Sequence, residues 1–209
     1  MILTDGQGKT HEHALDVTGR KKDGRYQGLV RFSAPTQVAG TAFLMLERGE
    51  QEFEQYIFLP SIRRTRRIAG RERDASFMGS DFTYADMQGV DPKHAKHTRL
   101  ADEKVGNELC YVLESTVADS AHVSYGKVLT WVRQSDMVAL RTRFYDRAGK
   151  PAKTLYSRRV KAIDGKPIVV DARMHNEQAS HSTEIIIDSV ERKDDLSDSQ
   201  FTPAELEHQ

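Results

Sequence analysis

The chain has 209 residues, 38% of them hydrophobic and 30% charged, the composition of one soluble globular domain (1–209) large enough for a proper core. Lys+Arg and Asp+Glu number 31 each, and a net charge of zero argues against generic nucleic-acid binding. No apolar run approaches the roughly 20 residues a spanning helix needs.

In chain order, MILTDGQGKT reads as a strand and a turn, with no signal peptide. Alternating or continuous apolar runs then predict strands at 11–18, 26–33, 41–47, 52–59, 108–117, 127–133, 139–145, 154–162, 168–175 and 183–190. The turn signals Asp23-Gly24, Arg48-Gly49-Glu50, Asp146-Arg147-Ala148-Gly149 and Asp164-Gly165 separate them. Leu140, Thr142 and Phe144 share a face opposite Arg141 and Arg143, whereas 43–46 and 56–59 are apolar on both faces and need a cover, such as helices laid against the sheet. Helical signals are few: one turn at 34–39, a short helix at 82–87 capped by Asp81, and a start at Thr202-Pro203-Ala204-Glu205 with Thr202 as N-cap and Glu205 closing a capping box. Residues 88–98 form the best loop candidate. The predicted fold is mainly β (α+β): a strongly curved antiparallel sheet or half-open β-barrel, with a few short helices plugging its concave side.

The most informative stretch is 56–87. An apolar strand ends at Pro60 and runs into six arginines, Arg63, Arg64, Arg66, Arg67, Arg71 and Arg73, followed by Phe77-Met78-Gly79-Ser80-Asp81-Phe82. Guanidinium forks suit acidic head groups, phosphate or an acidic partner surface, but a charged strand edge also simply blocks sheet-to-sheet aggregation. Gly79 suits a tight bend, and Phe77, Met78 and Phe82 either line an apolar pocket or plug one end of the sheet. Phe43, Met45, Tyr56, Phe58, Trp131, Phe144, Tyr156 and Met174 are core residues by type, some of which become cavity wall if the sheet encloses a hollow.

Catalytic chemistry is not legible. Ser80 lacks a Gly-x-Ser-x-Gly elbow and a histidine partner by spacing. His11 and His13 would share a strand face without a third ligand, and His94, His97, His175 and His181 show no ligand spacing. Asp194-Asp195 reads as a solvated turn rather than a calcium loop. Cys110, alone, supplies neither an intrachain disulfide nor a zinc framework and reads as a buried, inert thiol. No catalytic residue, metal or cofactor is assigned.

The run Leu59-Pro60-x-x-Arg63-Arg64-x-x-Arg67-Ile68, with Ser76-Phe77-Met78-Gly79-Ser80-Asp81-Phe82-x-Tyr84-x-Asp86, resembles the LolA-like outer membrane lipoprotein-sorting family. The likeness continues in YGKVLTWV at 125–132, Phe144-Tyr145-Asp146-x-x-Gly149-Lys150, Lys153-Thr154-Leu155 and Leu196-x-Asp198-x-x-Phe201-Thr202. It implies a periplasmic, non-enzymatic half-barrel around an apolar cavity. In that family a signal peptide and a helix precede the first strand, so the chain reads as a mature or trimmed form. The implied function is carriage of a lipid or a lipoprotein acyl chain for envelope trafficking. Phe43, Met45, Tyr56, Phe58, Phe77, Met78, Phe82, Trp131 and Phe144 are then the cavity candidates, and Arg63, Arg64, Arg66 and Arg67 the head-group or partner contacts. Implied partners are the lipid or acylated lipoprotein, a lipid-exporting inner-membrane pump of RND type, and a membrane surface touched peripherally. Lipoprotein carriers use a helical lid, and so few helices favour a lipid-binding accessory to such a pump. Two rivals are a cargo-free interaction or sensor module and an enzyme acting on amphipathic substrates.

Overall fold

The computed structural model describes residues 1–49, 52–88, 95–118 and 124–208. The strands are β1 (Ile2–Thr4), β2 (Thr10–Glu12), β3 (Ala14–Lys22), β4 (Arg25–Ala34), β5 (Ala42–Gly49), β6 (Glu52–Leu59), β7 (Arg64–Ile68) and β8 (Ala95–Arg99). They continue as β9 (Glu103–Val105), β10 (Glu108–Val117), β11 (Tyr125–Arg133), β12 (Ala139–Asp146), β13 (Pro151–Ile163), β14 (Lys166–Asn176) and β15 (His181–Ile186). A 5-stranded meander runs β3-β4-β5-β6-β7, and a 10-stranded sheet runs β2-β1-β15-β14-β13-β12-β11-β10-β8, with β9 also on β10. Every pairing is antiparallel, and the sheets do not close into a barrel. The first strand is wedged between β2 and the last, with Ile2 opposite both Glu12 and Glu184.

The small sheet shows why 43–46 and 56–59 are apolar throughout. Side chains alternate across a strand, so β5 sends Phe43 and Met45 to one face and Ala42, Leu44 and Leu46 to the other. The first face joins Phe32, Ile57 and Ile68 and meets Met174 of the large sheet, forming an inner layer. The second face, with Leu29 and Phe58, forms an outer layer, covered by Phe201 and Leu206. The predicted cover is therefore present, but it is not a laid-on helix. It is an irregular strap, residues 187–208, carrying two short 3₁₀ turns at Asp198–Phe201 and Ala204–Glu207. Thr202 Oγ1 accepts the Glu205 N–H at 3.3 Å, the capping contact expected of it.

Several local expectations are corrected. Arg64, Arg66 and Arg67 lie on the edge strand β7, whereas Arg71 and Arg73 lie in a 3₁₀ turn, Gly70–Asp74. Residues 82–87 make turns, not a helix, because the Asp81 carboxylate instead accepts from the Thr183 hydroxyl at 2.8 Å. The cap chemistry moves to Thr83 and Asp86, each of whose side chains accepts the other's backbone N–H (3.2 and 2.6 Å). Of the predicted loop 88–98, residues 95–98 belong to strand β8, while 89–94, including His94, lie outside the described residues, as does Glu50 of the second turn signal. The predicted strand 11–18 divides at His13, so His11 and His13 do not share one strand. The His13 ring sits edge-on to Phe32 at 5.9 Å, and burial lowers its pKa.

Candidate functional site

Residues 69–88 link β7 to β8 and enter the space between the sheets as a folded plug. Its bend is made by two consecutive left-handed residues, Met78 (φ 52°) and Gly79 (φ 78°), a conformation that glycine adopts without strain and methionine does not. The Phe77 N–H donates to the Phe82 carbonyl at 2.7 Å, and an isolated bridge joins Ser76 to Thr83. The Ser80 hydroxyl is buried and donates to the Phe77 carbonyl at 2.6 Å, so it serves the bend. Phe77 is only 3% exposed and packs its ring against Phe32, Phe43 and Tyr84, with centroids 5.2–5.8 Å apart. Burying each such aromatic contributes about 1.5–3 kcal/mol, so the plug is held chiefly by its rings.

The other hold is polar and buried. Lys153 of β13 and Asp86 of the plug pair at 2.5 Å with side chains only 6% and 5% exposed. The Tyr125 hydroxyl of β11 donates to the second Asp86 oxygen at 3.1 Å, and burial raises the tyrosine's pKa far above its ordinary range. Lys153 also donates to the Asp81 carbonyl at 3.0 Å and lies over the rings of Tyr125 and Phe144. Three strands of the large sheet, β11, β13 and β15, thus grip one plug through Tyr125, Lys153 and Thr183. Sequence reasoning missed Lys153 as a buried cation. The legible signal was Thr83-x-x-Asp86, a capping-box spacing that marks Asp86 as a structured side chain.

The cavity candidates fall into three places. Phe43, Met45, Phe77 and Phe82 belong to the inner layer, with Met78 and Phe144 packed against it. Phe58 belongs to the outer layer under the strap, with Tyr56 packed against that layer. Trp131 lies apart, in a cluster with Cys110, Val112 and Leu140, where its Nε1–H donates to Glu103 at 2.8 Å and Arg141 stacks 3.7 Å over its ring. Cys110 is fully buried there, and that burial pushes its thiol pKa up.

The arginines are similarly divided. Arg66 pairs with Glu72 at 2.7 Å and Arg67 with Glu54 at 3.2 Å. Hydrogen bonding from Arg48, then charge from Arg48 and Arg67, holds the Glu54 carboxyl below its ordinary pKa. Arg63 and Arg64 are exposed and make no side-chain ion pair among the described residues. They stand where the plug's feeding strand begins, beside an edge on which the Thr65 N–H donates to Glu207 at 3.1 Å. Among the described residues no group of three or more His, Cys, Asp or Glu could hold a metal.

Four likenesses bear on the chain. A family model carrying the description "Uncharacterized protein" matches residues 24–208. A structure described as an outer membrane lipoprotein-sorting protein domain, from Vibrio parahaemolyticus, superposes with a TM-score of 0.91 at 28% identity, over 99% of this chain and 88% of that one. A DUF1329 family protein from Desulfovibrio piger gives 0.91 at 29% identity, over 98% of this chain and 88% of that one. A LolA superfamily protein from Nitrosomonas europaea gives 0.68 at 21% identity, over 96% and 86%, a likeness of fold alone. No curated protein matches.

Proposed function

We propose that this chain, which belongs to the DUF1329-like family and has the LolA-like fold, is a non-catalytic periplasmic protein. It shelters an acyl chain of a lipid or lipoprotein between its two sheets during envelope trafficking. The observation that carries the reading is the plug. An apolar layer built from both sheets is closed by a separate segment whose rings Phe77, Phe82 and Tyr84 occupy acyl-like space. A chain entering there replaces those rings with methylenes, each worth about 0.8 kcal/mol when removed from water, so a long acyl chain offsets the loss of three aromatic contacts. Phe43, Met45 and Phe144 would form its walls, with Phe77, Met78 and Phe82 moving aside. Arg63 and Arg64, exposed at the start of the strand that leads into the plug, would take an anionic head group through charge-assisted bonds.

The β7 edge supports a second reading, a docking surface for a partner such as an RND-type export pump without cargo. Its Thr65 N–H donates to the Glu207 carboxylate, so this edge has a main-chain donor turned away from β6 that a carbonyl of an added strand would take.

Gentle native mass spectrometry of protein from its own host, followed by lipid extraction, separates the two. The carrier reading expects a stoichiometric lipid and faster uptake of a fluorescent acyl lipid by Asp86→Asn, which loosens the plug. An empty protein that takes up no acyl probe, with or without that substitution, removes the carrier reading and leaves the docking edge.

A further inference from the structure

The strap does not seal the outer layer completely. Between it and strands β3 and β4 lies a cleft of about 590 Å³, within the roughly 300–1,000 Å³ that small-molecule sites occupy. Its apolar wall includes Leu29 and Leu196, both part of the outer layer, so the cleft opens directly onto buried hydrocarbon-like surface. Arg31, half-buried at the cleft, donates to the Glu205 carbonyl at 3.1 Å and forms no ion pair among the described residues. Lys193 of the strap also lines the cleft, but its ammonium is paired with Glu191 at 3.5 Å. Opposing them on the lining are Asp16 and Glu205.

We infer that this cleft is a second binding site, for a single-chain amphipath bearing one negative charge, of the fatty-carboxylate class. Arg31 has guanidinium donors to spare, and a carboxylate satisfies them bidentately. The Asp16 and Glu205 carboxylates on the lining repel a polyanion, while Arg31, the lining cation without an ion pair among the described residues, takes a single anionic group. The hydrocarbon tail lies against Leu29 and Leu196, where each covered methylene adds to affinity.

The neighbouring strap contacts show the same chemistry already made within the chain. Asp198 seats its carboxylate on Arg20 and Lys22, while the Phe201 ring lies 4.4 Å beneath the Arg20 guanidinium and enters the outer layer. An acid group on basic β3 side chains with an apolar group beneath is an intramolecular amphipath, bound one step along the same face. The site is on the far side of the small sheet from the plug, and so stands independently of the inner layer.

Calorimetry with sodium dodecanoate and with 1-dodecanol, both below their aggregation range, tests the head group. The expected result is one-to-one binding of dodecanoate, roughly tenfold tighter than the alcohol, a preference lost in Arg31→Met. Arg31→Lys, which keeps the charge and loses the fork, is expected to weaken dodecanoate and spare the alcohol, and serves if Arg31→Met does not fold. A diazirine-bearing fatty acid then locates the tail, with adducts expected on peptides containing Leu29 and Leu196. Equal affinity for acid and alcohol, absence of binding, or adducts confined to residues 76–84 each overturn the inference; the last would do so while supporting the inner-layer carrier.

Discussion

Lys153 and Asp86 carry unlike charges into a site almost closed to water. Such a pair gains little over an apolar replacement, because its desolvation is costly, yet breaking it from one side is expensive. Lys153→Met strands the Asp86 carboxylate with only the Tyr125 hydroxyl and the Thr83 N–H as donors. We expect it to lower unfolding free energy by about 3–5 kcal/mol in urea titration, and Lys153→Met with Asp86→Leu to recover much of that loss. A single substitution costing under about 1 kcal/mol would mean that the pair is not buried as described. The residue scale also explains why the block 77–82 was only half legible. Its composition announces apolar contact, but plug and pocket wall use the same side chains. Only the Asp81–Thr183 and Asp86–Lys153 bonds, made to residues far along the chain, decide which way the segment faces.

At the scale of elements, the strap is held differently from the plug. Its carboxylates are exposed: Asp198 is held below its ordinary pKa of 3.8 by hydrogen bonds from Lys22 and Arg20, and Glu207 below 4.5 by hydrogen bonding from Thr65, its side chain first and then its N–H. A lowered folded-state pKa means attachment that is fully present above the ordinary carboxylate range and lost as pH falls through the lowered values. We therefore expect amide exchange in 196–207 to accelerate, relative to β5 and β6, as pH falls below the ordinary carboxylate range, while the plug stays protected. Uniform exchange across strap and sheet would show that the strap unfolds only with the whole. Element type was legible wherever a period was present: β6 and β10 match their apolar runs to the residue, and β5 shows its double burial in 43–46. β7 was hidden because four of its five residues, Arg64, Thr65, Arg66 and Arg67, are polar and at an edge. The strap was hidden because it has no period at all, only Leu196, Phe201 and Leu206 spaced to fall on one sheet.

For the whole molecule, one thin 5-stranded sheet separates two apolar layers of different closure. The inner is shut by a segment with buried ionic anchoring, the outer by a segment with exposed ion pairs, so one fold offers two compartments with different opening costs. Sheet order was legible where neighbours are consecutive hairpins, as in β3 to β7 and β10 to β15; the β1–β15 pairing was not, since it joins residues at opposite ends of the chain with no local pattern to mark it.

The wedge of β1 between β2 and β15 has a consequence in time. Ile2, Leu3 and Thr4 find their second partners only in Glu184, Thr183 and Ser182, so the earliest strand waits on the latest. Thr183 is also the residue that holds Asp81 of the plug. Pairings this distant pay loop-closure entropy before any reward and slow the search. Refolding should accordingly show plug aromatics becoming protected no earlier than the β1–β15 amides in pulsed exchange, and deletion of residues 1–5, which removes that seam, should delay protection of the plug. Plug protection that clearly precedes the seam would break the link. If it holds, the two halves of the polypeptide commit together, and a half-made chain stays open until its last strand arrives.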